Sequence, residues 1–124
     1  MNGKKIVLEI RSIDSPDVGN LWAWQPQSNE EVIFLIEMEI GEKNTVGADL
    51  FQVVIATPEA LLLQSSKKFK IIQNRSTIII SKYEWRSIYN GLIEVVKQCE
   101  STTWIESVTL LQRFFIWEYE DYHG

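Results

Sequence analysis

Three stretches of the chain alternate apolar and polar residues with a period of two, the signature of half-buried strands. In residues 5–13, KIVLEIRSI, Ile6, Leu8 and Ile10 fall on one side and Glu9 and Arg11 on the other. In EVIFLIEMEIG, residues 31–41, Val32, Phe34, Ile36, Met38 and Ile40 share one face, while Glu37 and Glu39 occupy the opposite one. In DLFQVVIAT, residues 49–57, Phe51, Val53 and Ile55 point inward. The connection through Asn44 and Gly47 is too short for a helical crossover, so these strands are expected to form an antiparallel meander. The segment between the first two, DSPDVGNLWAWQPQSNEE, is rich in turn formers and reads as a long loop.

From Thr57 onward the period changes. Thr57-Pro58-Glu59 combines a capping residue, a proline suited to the first helical position and an acid in the first turn. PEALLLQ is therefore expected to be a short helix, and STIIIS a fourth strand around residues 78–80. Ser81-Lys82-Tyr83-Glu84 reads as a capping box before EWRSIYNGLIEVVKQC, where Trp85, Ile88, Tyr89, Leu92, Val95, Val96 and Cys99 recur at helical spacing. Gly91 lies mid-helix, where it would allow a close approach. Thr103-Trp104-Ile105-Glu106 is a second capping box, opening a last helix with Trp104, Val108, Leu111 and Phe115 on its apolar side. Trp85 and Trp104 are expected to be largely buried. The order of elements predicts an α+β fold: a four-stranded, mainly antiparallel sheet with two main helices and one short helix packed on one face. Its 124 residues fit a single domain spanning 1–124.

Composition narrows the function. A net charge of −5 makes phosphate backbones poor partners, so no nucleic-acid partner is expected, and a basic protein suits better. No stretch approaches the ~18 apolar residues of a membrane span, and Ile6-Val7-Leu8 is too short for a signal-peptide core. One cysteine, Cys99, permits no intramolecular disulfide, which fits a cytoplasmic location. Asn74-Arg75-Ser76 matches a glycosylation triplet that is chance without secretion.

The usual catalytic signatures are incomplete. One histidine, His123, and one cysteine cannot build a Cys/His zinc site, and Cys99 on an apolar stripe reads as packed and inert. The glycines form no phosphate loop, and Lys67, Lys68 and Lys70 read as a solvated loop or strand edge. Neither catalytic, cofactor-binding nor metal-ligating residues are assigned. Carboxylates are abundant, yet Asp14 and Asp17 around Ser15-Pro16 read as turn residues bonding their own backbone. Glu37 and Glu39 lie on a solvated strand face by default. Trp22 and Trp24 in LWAWQP either plug the end of a core or form a binding surface. The closing RFFIWEYEDYHG raises the same choice: Phe114, Phe115 and Trp117 suit a core, and Glu118, Tyr119, Glu120, Asp121 and Tyr122 suit a contact surface. If the last helix continued, Phe115, Glu118 and Tyr122 would share a stripe.

FQVVIATPEAL and the run from Ser81 to Tyr122 resemble the Immunity protein 8 family of bacterial polymorphic toxin systems. Thr57-Pro58 with Leu61, Tyr83 and Trp85 at a helix start, Cys99 followed by Trp104, and the closing Trp117-Glu118-Tyr119-Glu120 carry the resemblance. Ser15-Pro16-Asp17 and the Phe34 strand ending at Gly41 fit the same layout. The resemblance implies a small protein of contact-dependent inhibition systems that binds a cognate toxin domain, protects the producing cell, and has no catalytic residues. A basic nuclease is the expected toxin class, because charge steers encounter and desolvated aromatics hold the complex. Two other readings stay open: an acidic binding module or adaptor for another basic protein, and an enzyme using carboxylates alone. The toxin-binding candidates are Glu118, Tyr119, Glu120, Asp121, Tyr122, Glu37, Glu39, Trp22 and Trp24.

Overall fold

A computed structural model describes residues 3–66 and 76–120. Lys67, Lys68, Lys70, the Asn74-Arg75-Ser76 triplet apart from Ser76, Asp121, Tyr122 and His123 lie outside the described residues. The elements run β1 (Leu8–Asp14), β2 (Ile33–Glu42), β3 (Asp49–Ala56), α1 (Pro58–Ser66), β4 (Thr77–Ile79), α2 (Trp85–Gln98), α3 (Trp104–Leu111) and β5 (Ile116–Trp117). The fold is α+β, with a mixed, mainly antiparallel sheet and three packed helices, as the order of periods predicts.

β1, β2 and β3 form the expected meander, with Phe34 opposite Ile55, Ile36 opposite Val53 and Met38 opposite Phe51. These alternate residues are buried, and together with Trp85, Ile88, Leu92 and Val96 of α2 and Val108 and Leu111 of α3 they make the core. β1 starts later than its alternation suggests. Its register shifts between Ile10 and Ser12, and the resulting bulge turns both Ile10 and Ile13 inward although an odd number of positions separates them. Ile6 lies ahead of the strand, where its amide donates to the Ser101 carbonyl at 2.7 Å. The Leu8 amide donates to Glu100 Oε2 at 2.9 Å. The turn between α2 and α3 thereby occupies part of the edge of β1.

The other edge of β3 is shared end to end by two short strands. β4 runs parallel to β3, Val54 pairing with Thr77 and Ala56 with Ile79, a connection that needs a crossover, here one containing α1. β5 pairs antiparallel with the first half of β3 through Phe51–Trp117 and Gln52–Ile116. The last helix therefore stops at Leu111, short of the predicted Phe115. Turns at Phe114 and Phe115, whose amides donate to the Leu111 carbonyl, send the chain back to the sheet. Phe115 is fully buried, and Phe114 and Trp117 pack against the core.

Several local expectations shift. Glu84, not Ser81, caps α2: its carboxylate accepts from the Ser87 and Arg86 amides and bonds the Ser87 hydroxyl. Thr103 caps α3 as expected, accepting from the Glu106 amide at 3.1 Å, while Glu106 turns to the Thr102 and Ser101 hydroxyls. Trp85 is buried, but Trp104 is only half-buried. A side chain at Gly91 would meet open space, so no close approach requires that glycine. Cys99 is buried, and desolvation raises its thiol pKa above the ordinary value, with a smaller opposing effect of the Arg113 charge.

Candidate functional site

Alternation along β2 and β3 puts every second residue on the face turned away from α2 and α3. The strand pairing converts this into rows across the sheet. Asp14 stands opposite Glu37, which stands opposite Gln52, which faces Ile116. In the next row Ser12 is opposite Glu39 and Glu39 opposite Leu50. Glu118 joins that row from β5's end: its amide donates to the Leu50 carbonyl at 3.0 Å, and its Oε1 accepts from the Leu50 amide at 2.6 Å. Candidates from two distant parts of the sequence thus converge across β3.

These carboxylates contact neutral donors. Gln52 Nε2 donates to Glu37 Oε2 at 2.7 Å, and Ser12 Oγ donates to Glu39 Oε1 at 2.8 Å. Such bonds orient a carboxylate and leave its charge in place. The nearest strand cation, Arg11, is engaged elsewhere. Its guanidinium donates to the Gly47 carbonyl at 2.8 Å and to the Glu42 carbonyl, and it pairs with Glu9 at 3.2 Å, the only ion pair among the described residues. This arm crosses Gly41, where a Cβ would come within 2.6 Å of the Gly47 carbonyl oxygen and 3.0 Å of the guanidinium carbon. Like charges directly opposite, as Asp14 and Glu37 are, destabilise a sheet.

The remaining candidates separate. Tyr119 is exposed and stacks edge-on against Trp117, ring centres 5.5 Å apart. Trp117 is the packed anchor, with its indole N–H on Asp49 Oδ2 at 2.9 Å. Glu120 accepts from the Trp117 amide at 3.1 Å, covering a polar group of the β5 edge. The two loop tryptophans divide the roles proposed for them. Trp24 plugs the core end against Tyr83 and Phe34, at 5.0 and 5.4 Å. Trp22, 54% exposed, lies edge-on to Tyr89 and Trp85 and leaves much of its ring at the surface. Beneath them the buried Tyr83 hydroxyl and Trp85 Nε1 have no hydrogen-bond partner among the described residues. Burial, followed by the Glu84 charge, raises the Tyr83 pKa.

Sequence reasoning missed Asp14 as a member of the acidic rows, because it treats Asp14 and Asp17 as turn residues serving themselves. The turn belongs to Ser15, whose Oγ accepts from the Asp17 and Val18 amides at 3.1 and 3.3 Å. Asp17 reaches across instead, its Oδ2 accepting from the Leu35 amide at 2.8 Å where β1 has ended. No signal in the local composition distinguishes these uses; register does.

Among the described residues no group of three or more histidine, cysteine, aspartate or glutamate side chains is arranged to hold a metal ion, and no helix is long and apolar enough to cross a membrane. The arrangement offers fixed negative charge and exposed aromatic edges, which is chemistry for binding a protein. No curated protein and no solved structure matches the chain. A family model for Immunity protein 8 matches residues 8–122. From the first residue of β1 through the tail, this chain belongs to the Immunity protein 8 family.

Proposed function

We propose that this protein neutralises a cognate toxin domain, a basic nuclease, by binding it in the cytoplasm of the producing cell. Family membership supports the immunity role. The observation that carries the finer reading is the convergence of Glu37, Glu39 and Glu118 on one sheet face, whose carboxylates bond only neutral donors among the described residues. A surface of uncompensated charge raises the encounter rate with a basic partner, and burying that charge against lysine or arginine gives specificity. Tyr119 and Trp22 supply exposed aromatic edges of the kind that dominate binding energy once desolvated. Inhibition then follows from occupancy, because a protein seated on the toxin's basic substrate groove excludes the substrate. No proton transfer or covalent step by this chain is involved.

The test pairs cell and solution measurements. Co-expression with the toxin domain encoded beside this gene should relieve growth arrest. Stopped-flow association with that domain should slow steeply as ionic strength rises, with dissociation changing less. A rescue with a salt-independent association rate would remove the basic partner from the account while leaving the immunity role intact.

A further inference from the structure

The acidic rows fill only one half of the face turned away from α2 and α3. Followed back along β2, the outward positions change from Glu39 and Glu37 to Leu35 and Ile33. The pairing extends that change across the sheet: Leu35 lies opposite Val54, Ile33 opposite Ala56, and Ala56 beside Ile79. Ile79 is 62% exposed and Ile33 37%, Leu35 and Val54 are half-buried, and Ala56 between the two isoleucines is fully buried. The same face is therefore apolar at one end and anionic at the other. Same-face residues recur about every 7 Å along a strand, so the four rows span roughly 20 Å. That is the size of the centre of a protein–protein footprint, which typically covers about 800 Å² per partner.

We propose that the toxin domain docks on this face, placing apolar side chains on Ile33 and Ile79, the exposed positions either side of the buried Ala56, and lysine or arginine side chains over Asp14, Glu37 and Glu39. The inference rests on the toxin-binding reading above and adds the apolar contact and the orientation. Charge complementarity selects the occupant. A second copy of this chain would bring the same three carboxylates against these, or turn about and set them on isoleucines; either arrangement desolvates charge without compensation. A basic partner with an adjoining apolar patch meets both ends at once. The gradient also sets direction, since a partner rotated by half a turn would bury its cations on Ile33 and Ile79 and leave Glu37 and Glu39 facing its apolar side chains. The two ends then have separate kinetic duties. The anionic end acts at a distance and governs approach, while the apolar end contributes only after water is expelled and governs release.

Surface-immobilised protein and the toxin domain encoded beside this gene provide the measurement, with Ile79→Lys and Ile33→Lys at one end and Glu37→Gln with Glu39→Gln at the other. The lysine variants should raise the dissociation rate at least tenfold and, because they add positive charge to this face, also slow association, so the salt dependence of association is read on the neutral Ile79→Thr, which should keep it. The glutamine pair should lower the association rate severalfold and flatten its salt dependence. Ile79→Thr, which retains β-branching, should raise dissociation by a smaller factor and serves if the lysine variants do not fold. Unchanged dissociation in a folded Ile79→Lys or Ile79→Thr protein would overturn the proposal. So would a concentration-dependent dimer, seen by light scattering of this chain alone, that those substitutions abolish. Absence of any binding by the unaltered protein would instead count against the toxin-binding reading itself.

Discussion

The two faces of the β2–β3 pair are made of alternate residues of the same strands, yet they differ in nearly every physical respect. Toward α2 and α3 the positions are Phe34, Ile36, Met38, Ile40, Phe51, Val53 and Ile55, all at 2% exposure or less. Toward the opposite side they run from Ile33 and Leu35 to Glu37 and Glu39, with Gln52 and Val54 between. Burial of apolar area stabilises the first arrangement. The second includes Asp14 opposite Glu37, which costs stability and is compatible with selection for binding. The difference teaches that stability and partner recognition are divided by the pleat of one sheet, so substitutions one position apart should affect different measurements.

The largest effect tests the covered side. Trp85→Ala should reduce unfolding free energy by about 3–5 kcal/mol in urea denaturation, because its ring is buried between Trp22, Tyr89 and the core. A loss below ~1 kcal/mol would place that ring outside the cooperative core. On the other side, Glu37→Lys with Glu39→Lys should weaken toxin binding by on the order of 2 kcal/mol or more. Stability should stay within ~0.5 kcal/mol, as for surface substitutions generally. Glu118→Gln is the better change at the third acid, since an acceptor for the Leu50 amide is preserved. Unaltered binding with an intact fold would move the toxin to Trp22 and Tyr119 and dissolve the contrast between the faces.

Much of this division could be read from the sequence. The inward sets of β2 and β3 follow from strict alternation, and the α2 stripe from helical recurrence, so the α+β class and helix placement were accessible. Three things were not. β5 has two residues, too few to show any period. The bulge at Arg11 changes which face Ile13 takes, a matter of hydrogen bonding rather than residue type. The Ser81 and Glu84 spacing fits a capping box, but a glutamate at the first position outside the helix can accept the same amides itself. The candidate site was legible only as separate pieces. Glu37 and Glu39 on a strand and Glu118 in a tail become one surface through pairing across β3, and no local pattern encodes a register between residues so far apart. Trp22 and Trp24 are similarly indistinguishable until the rings beneath them are known.

Smaller effects sharpen the covered side further. Thr103→Ala removes the acceptor for the Glu106 amide and should cost about 1 kcal/mol, measurable as a lowered denaturation midpoint at unchanged slope. Glu84 and Glu106 give a pH signature. Hydrogen bonds from Ser87 and from Thr102, respectively, lower their pKa values below the ordinary 4.5. A depressed folded-state pKa contributes stability above the unfolded value and loses it as pH falls through the folded one. Melting temperature should therefore decline on acidification below about pH 4.5. Glu84→Gln with Glu106→Gln should make that decline shallower, whereas an unchanged slope would show that other carboxylates dominate acid unfolding.

The shared edge of β3 has a consequence for the order in which the molecule is made. Leu50 and Glu118, 68 positions apart, exchange backbone and side-chain bonds. During synthesis the β1–β3 meander can therefore form while the first half of β3's edge still lacks its partner. Such an edge is a template for pairing with another nascent chain, and contacts of high sequence separation close slowly. The interval between the emergence of residue 56 and that of residue 118 is a window of exposure, at ~5–20 residues per second several seconds long. In that window the carboxylates of Glu37 and Glu39, next to the open edge, also repel neighbouring copies, so the charge suited to a basic partner acts first as protection for the growing chain.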